Sequence, residues 1–177
     1  MCHYSRKRQA ISNNRFNKEF CLKEHAIDWM YDKPFIQDWH IDATHIDHYN
    51  HVNNVAYLAQ LEKLAWAHSN ALGLQFTDYQ TLNRGMVIRR HELNYHLPAH
   101  LNDTLQCATW IVKCDNKLTL SRQFQFICSK RKKTVFDALT QFVCVSLDTG
   151  APKRMPAQFI RAYGEACIEL PAEKRER

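Results

Sequence analysis

The chain has 177 residues, 45% of them hydrophobic, and carries a formal net charge of +6. That is one domain's length, enough to bury a core. No apolar run approaches the roughly 18 residues that span a bilayer, and Met1 to Ala10 is polar and basic, without the apolar stretch of a secretory signal.

Residues 1–32 show no clean periodicity and carry Arg6, Lys7, Arg8, Arg15, Lys18 and Lys23. They are expected to form a loosely ordered basic extension, in which Phe16 to Ala26 fits a short amphipathic helix and Met30 would serve as a start for the compact part. One domain is expected over residues 33–168, with a charged tail at 169–177. Pro34 to Ala43 alternates Phe35, Gln37, Trp39 and Ile41 with Ile36, Asp38, His40 and Asp42, which predicts a strand. Val55 to Leu72 predicts a helix, with Val55, Leu58, Leu61, Ala65, His68 and Leu72 as its apolar face. Asn53 or Asn54 suits its N-cap, and Gly73 suits its stop.

Four strand patterns follow: Met86 to His96, Thr104 to Lys113, Leu118 to Cys128 and Val135 to Leu147. The last is almost continuously apolar, which predicts an interior strand. Asp115-Asn116-Lys117 and the basic run Lys130 to Thr134 predict hairpin turns. A last short helix is expected from Met155-Pro156 to Ala166, with Pro156 near its first turn. One strand, one long helix and four strands joined by short turns predict an antiparallel sheet covered by that helix.

The stretch Asp47-His48-Tyr49-Asn50-His51-Val52-Asn53-Asn54 joins the first strand to the helix. It sets a carboxylate a few residues before a helix N-terminus, where free N–H groups favour negative charge. A base or nucleophile facing such an end is what acyl transfer needs. Other chemistries are poorly supplied. The seven cysteines include no C-x-x-C pair and are expected to be reduced. His45, His48 and His51 recur every three residues without a matched carboxylate or cysteine frame, so no metal is expected. No Gly-x-Ser-x-Gly elbow occurs, and the four glycines form no phosphate loop. The positive charge comes with no recognisable nucleic-acid module, and no nucleic-acid partner is expected.

Asp47-x-x-Asn50-His51-Val52-Asn53-Asn54-x-x-Tyr57-Leu58 resembles the Asp-x-x-Gly-His-Val-Asn-Asn-x-x-Tyr motif of the hotdog-fold acyl-CoA thioesterases of the 4-hydroxybenzoyl-CoA thioesterase family. Val87-Ile88-Arg89-Arg90, Tyr95-x-x-Pro98-Ala99 with Asp103 after it, and Arg154-x-Pro156 extend the likeness, which runs from about Phe35 to Phe159. It implies an α+β hotdog, a five-stranded antiparallel sheet wrapped around one long helix. The implied activity is hydrolysis of acyl-CoA or acyl-carrier-protein thioesters without a cofactor. A non-catalytic acyl-CoA-binding module is the alternative. The polar N-terminus and the lack of a long apolar run predict a cytoplasmic protein, and the resemblance implies a homodimer or homotetramer with sites at the subunit interface.

Residue by residue, Asp47 matches the family's catalytic aspartate. The N–H groups of Val52 to Asn54 are expected to hold the oxyanion, Asn54 foremost. His51 is expected to orient the loop or touch substrate. Glu62, on the helix, is a second carboxylate candidate. Asn53 and Tyr57 are expected at the substrate, and Arg89, Arg90, Lys130 and Arg131 at the phosphates of CoA. Three positions depart from the motif. Asn50 replaces the glycine, His45 stands where many relatives have an acid, and Tyr49 stands where some use an Asn. Asn is the best non-glycine residue for a left-handed turn, so Asn50 is expected at positive φ.

Overall fold

The computed structural model of the protein describes residues 27–169. The helix expected at Phe16 to Ala26 and most of the tail lie outside the described residues. Five strands, β1 (Phe35–His40), β2 (Gly85–Tyr95), β3 (Thr104–Cys114), β4 (Thr119–Cys128) and β5 (Lys133–Val145), form one sheet in the order β1-β3-β4-β5-β2. Every pairing is antiparallel. The sheet wraps around α1 (Asn54–Ala71), and two shorter helices, α2 (Phe76–Thr81) and α3 (Ala157–Glu165), close one end. This is the hotdog arrangement. No helix among the described residues is long and apolar enough to cross a membrane.

Local chemistry explains the boundaries. The first strand stops at His40 because the Asp42 carboxylate accepts the Thr44 N–H at 2.8 Å and starts a single 3-10 turn, Ala43–His45. Asn53 caps α1, its Oδ1 accepting the Ala56 N–H at 2.8 Å. The helix ends at Gly73, which sits at φ 81° and donates its N–H to the Asn70 carbonyl. Asp115 accepts the N–H groups of Lys117, Leu118 and Thr119, which fixes the β3–β4 hairpin around Asn116 at φ 55°. β5 is interior, flanked by β4 and β2. Helix α2 is an addition to the single long helix expected. Its start is marked by Asp78, whose carboxylate accepts the Gln75 N–H at 2.7 Å.

The core consists of two apolar clusters. One gathers Trp39, Tyr57, Leu61, Leu64, Phe124, Phe126 and Phe136 under α1. The other gathers Leu74, Tyr79, Ile111, Leu120, Phe159 and Tyr163 beneath α2 and α3. The face that α1 buries runs through Tyr57, Leu61, Leu64 and His68. It is rotated from the expected stripe: Val55 is 73% exposed and Leu58 also faces outward. The helix is apolar on two faces, and only one of them meets the sheet.

The far face of the sheet is covered as well. Gln125 accepts the Met30 N–H and donates to the Asp28 carbonyl, Trp110 donates to the Asp32 carbonyl, and the rings of Trp29 and Tyr31 pack edge-on against Trp110. Residues 27–32, expected to belong to the loose extension, are therefore docked on the sheet. Their aromatic residues are what hold them there.

Candidate active site

The Asp47 loop is a small closed structure. Ile46 and Val52 form an antiparallel bridge across it. The Asp47 N–H donates to the His51 carbonyl at 2.9 Å, and the Asn50 N–H donates to the Asp47 carbonyl at 3.1 Å. The turn needs a left-handed residue at position 50, and Asn50 supplies it at φ 60°. One carboxylate oxygen of Asp47 accepts the N–H groups of Tyr49 (2.8 Å) and His51 (3.3 Å). The other oxygen has no hydrogen bond among the described residues. Asp47 is half-buried, whereas His51 and Asn54 are exposed.

The loop is tied to its surroundings through groups expected to serve the substrate. The Val52 N–H donates to the Ala99 carbonyl, and the Asn53 N–H to the His45 carbonyl, both at 2.9 Å. Neither N–H can hold an oxyanion. The helix N-terminus is left with the N–H groups of Asn54 and Val55, which make no hydrogen bond among the described residues. That corrects the expected donor set of Val52 to Asn54 by moving it one residue along the chain. The Asn53 side chain is also engaged at both ends, with Nδ2 donating to the His45 carbonyl and Oδ1 capping the helix. It fastens the loop to the 3-10 turn and to the helix.

His100 was not anticipated. Its Nδ1 donates to the Asn50 carbonyl at 3.1 Å, and its ring meets that of His51 at 5.1 Å between centroids. Its place just after Pro98-Ala99 gave no signal of its own. Tyr57 is a correction. It is 3% exposed, stacked on Phe136 and edge-on to Trp39 and Tyr95, and burial raises its hydroxyl pKa far above the ordinary value. It belongs to the aromatic core. Arg131 is a second correction, because its guanidinium donates to the Pro98 carbonyl and the Asp103 carboxylate and so braces the loop that carries His100. Lys130, Arg89 and Arg90 are exposed, Arg90 beside Glu92 at 3.3 Å. Arg89 occupies a register shift in β2 between Ile88 and Arg90.

Glu62 lies eight residues past Asn54, about 12 Å along the helix axis. It is exposed and apart from the Asp47 loop. It lines a cavity of about 620 Å³ between α1 and strands β2, β4 and β5. Val55, Leu58, Ile88 and Phe124 supply apolar walls. Because Val55 is in the first turn of α1, the cavity opens beside the two unbonded N–H groups. Among the described residues no three His, Cys, Asp or Glu side chains converge as metal ligands would.

Comparisons with known proteins bear on the family and the fold. The profile of the Thioesterase-like superfamily covers residues 41–163. The long-chain acyl-CoA thioesterase FadM of Escherichia coli (strain K12) is 33% identical over 109 residues, which span 59% of this chain and 78% of that protein. Among solved structures, the E. coli probable thioesterase YbaW superposes with a TM-score of 0.62 at 25% identity, covering 76% of this chain and 98% of its own. The DHNA-CoA thioesterase of Staphylococcus aureus superposes with a TM-score of 0.69 at 16% identity, over 75% and 89% of the two chains. At that identity the second likeness speaks for the fold alone.

Proposed function

The chain belongs to the Thioesterase-like superfamily, and from that premise we propose that it hydrolyses acyl-CoA thioesters to a free carboxylic acid and the thiol of CoA. The observation that carries this reading is the pairing of Asp47 with an open helix end. A carboxylate with one uncommitted oxygen stands in a loop that its own hydrogen bonds make rigid, and that loop runs straight into two unbonded N–H groups and an apolar cavity. The N–H groups of Asn54 and Val55 would receive the thioester oxygen as it gains negative charge. Asp47 would attack the carbonyl carbon to give a mixed anhydride that water then hydrolyses, or deprotonate a water that attacks directly, and in either case the thiolate would leave with a proton from solvent. The cavity along α1 suits a long acyl chain, consistent with the relative that is named for long-chain substrates.

CoA is the preferred carrier here, with acyl-carrier protein as the other source of the same thioester. Exposed Arg89, Arg90 and Lys130 are the cations available for phosphate groups. The site would be completed in a homodimer or homotetramer, because the mouth of the cavity is lined by apolar side chains that one chain leaves uncovered. A second reading, a non-catalytic acyl-CoA-binding module, draws on the use of one Asp47 oxygen inside the turn. Thiol release measured against aliphatic and aromatic acyl-CoAs separates the two. Turnover of any of them supports the hydrolase. Tight binding with no thiol released leaves the binding module standing.

A further inference from the structure

Arg122 is only 2% exposed in the middle of β4. Among the described residues it forms no ion pair. Its two terminal nitrogens donate to His68 Nδ1 at 2.8 Å and to Ser69 Oγ at 2.9 Å, both on α1, and its guanidinium carbon stands 5.7 Å from the centroid of the Tyr163 ring. None of these neighbours carries a negative charge. Burial, and then Arg122 itself, push the His68 imidazole down to about 3, so it accepts as the neutral ring. The hydroxyls of Tyr79 and Tyr163 hydrogen-bond each other, and burial raises Tyr79 far above its ordinary pKa. Neutral dipoles alone face a buried cation, an arrangement that is costly until an anion arrives.

The sheet register extends this polar spot into a band. Arg122 pairs with Thr140 of β5, Thr140 pairs with His91 of β2, and the His91 Nδ1 and Thr140 Oγ1 are 2.9 Å apart. The band crosses the helix-facing side of the sheet between the two apolar clusters. Ser69, His91, Arg122 and Thr140 all line the 620 Å³ cavity, whose other walls are mostly apolar. Along α1 the cavity runs from Val55, at the unbonded N–H groups, to Ser69, about 21 Å by helical rise. Its other lining charge, Glu62, is exposed on the same helix, about 10 Å in axial rise from Ser69, and makes no ion pair with Arg122 among the described residues.

We propose that this cavity accepts acyl groups carrying a carboxylate at the end remote from the thioester, and that Arg122 binds that carboxylate. The orientation of the chain rests on the thioesterase reading, with the thioester at the Asn54 end. The fork of an arginine matches a carboxylate with two parallel N–H donations. A methyl-terminated chain of equal length would fill the apolar walls and leave the cation without a counter-charge. A site built around a buried polar group discriminates strongly against the analogue that lacks its partner.

The test compares matched pairs, hexadecanedioyl-CoA against hexadecanoyl-CoA and shorter pairs of the same design. The wild type is expected to show a kcat/KM at least roughly tenfold higher for the ω-carboxylate member of a pair, and Arg122→Met to lower that ratio by roughly a hundredfold, the scale of a lost buried charge partner. A wild-type ratio at or below one for every pair overturns the proposal, as does a ratio that Arg122→Met leaves unchanged. Should Arg122→Met fail to fold, Arg122→Lys retains a charge without the fork, and the same ratio is read on it and on the wild type. Calorimetric binding of monomethyl hexadecanedioate, which keeps one free carboxylate, and of methyl hexadecanoate, which has none, to the wild type separates this inference from the hydrolase reading. Tighter binding of the carboxylate-bearing ester supports the site even if no thioester is turned over. Equal binding overturns the site even if thioesters are cleaved.

Discussion

Asn53 grips the His45 carbonyl twice, with its backbone N–H at 2.9 Å and its side-chain Nδ2 at 3.0 Å. The same side chain caps α1 through Oδ1. One residue thus fixes the distance between the 3-10 turn that precedes Asp47 and the helix end that follows it. Asn53→Ala is expected to cost about 1–2 kcal/mol, the range for losing an N-cap. Asn53→Asp keeps the cap acceptor but loses the donor to His45, so it is expected to recover stability while leaving the loop loosened. Chemical denaturation of the three proteins measures the first effect, and thiol-release rates measure the second.

Asn50 holds φ 60° in the loop and offers its carbonyl to His100. Asn50→Gly is expected to fold and turn over as the wild type does, because glycine adopts this conformation freely. A β-branched side chain resists it, so Asn50→Val is expected to lose about 1–2 kcal/mol and to move Asp47. Equal activity of the Gly and Val variants would remove the loop geometry from the mechanism.

Most of the fold was legible because period and punctuation agreed. Strands β2 to β5 and helix α1 fall within about two residues of their patterns, and Asn53, Gly73 and Asp115 carry the boundary signals. The Asp47 loop was legible from a short motif. Which face of α1 is buried was not, because Val55 and Leu58 are as apolar as Leu61 and Leu64, and a single chain cannot say which set meets the sheet. Tyr57 and Arg131 were misread for a related reason. Their side chains suit a ligand in composition, yet the aromatic partners of Tyr57 and the Asp103 partner of Arg131 come from strands and turns distant in sequence. Arg122 gave no sign in the alternation of β4, where a charged residue on the inward side looks like an error until His68 and Ser69 are placed above it.

His68 predicts an acid sensitivity whose sign can be worked out. Folded, it is held neutral with a pKa near 3; unfolded, it takes a proton near the ordinary value of about 6.5. The unfolded state therefore binds more protons below that value, and stability is lost as the pH falls from about 6.5 towards 3. Between pH 7 and pH 5 the loss from this group is expected to be about 2 kcal/mol. His68→Gln keeps an acceptor for Arg122 and removes the titration, so its denaturation midpoint should fall less than that of the wild type over the same interval. Parallel pH dependences of the two proteins would show that His68 does not titrate in this way.

The second apolar face of α1 predicts association. Val55 and Leu58 are exposed, Val87 and Ile88 are exposed on β2, and β2 is an edge strand with unpaired backbone groups. Such an edge beside an apolar patch invites a second copy. The protein is expected to sediment as a dimer or larger at micromolar concentration, and Ile88→Glu to shift it towards the monomer with loss of turnover. A monomeric wild type with full activity would contradict both the association and its place in the site.

Asp47→Asn is the sharpest test of the chemistry. The turn uses Asp47 as an acceptor for the Tyr49 and His51 N–H groups, and an amide oxygen can accept both. The loop should therefore hold, and the denaturation midpoint should stay close to that of the wild type. What the amide cannot do is attack a thioester or take a proton from water. Turnover is expected to fall by at least roughly a hundredfold, the scale of a lost acid–base group. Glu62→Gln provides the contrast. Glu62 is about 12 Å along the helix from Asn54, exposed, and outside the Asp47 loop, so its loss is expected to change the rate far less. If Asp47→Asn hydrolyses acyl-CoA at the wild-type rate while Glu62→Gln does not, the helical acid is the catalytic group and Asp47 is a turn residue. If both variants keep full activity, neither carboxylate carries the reaction.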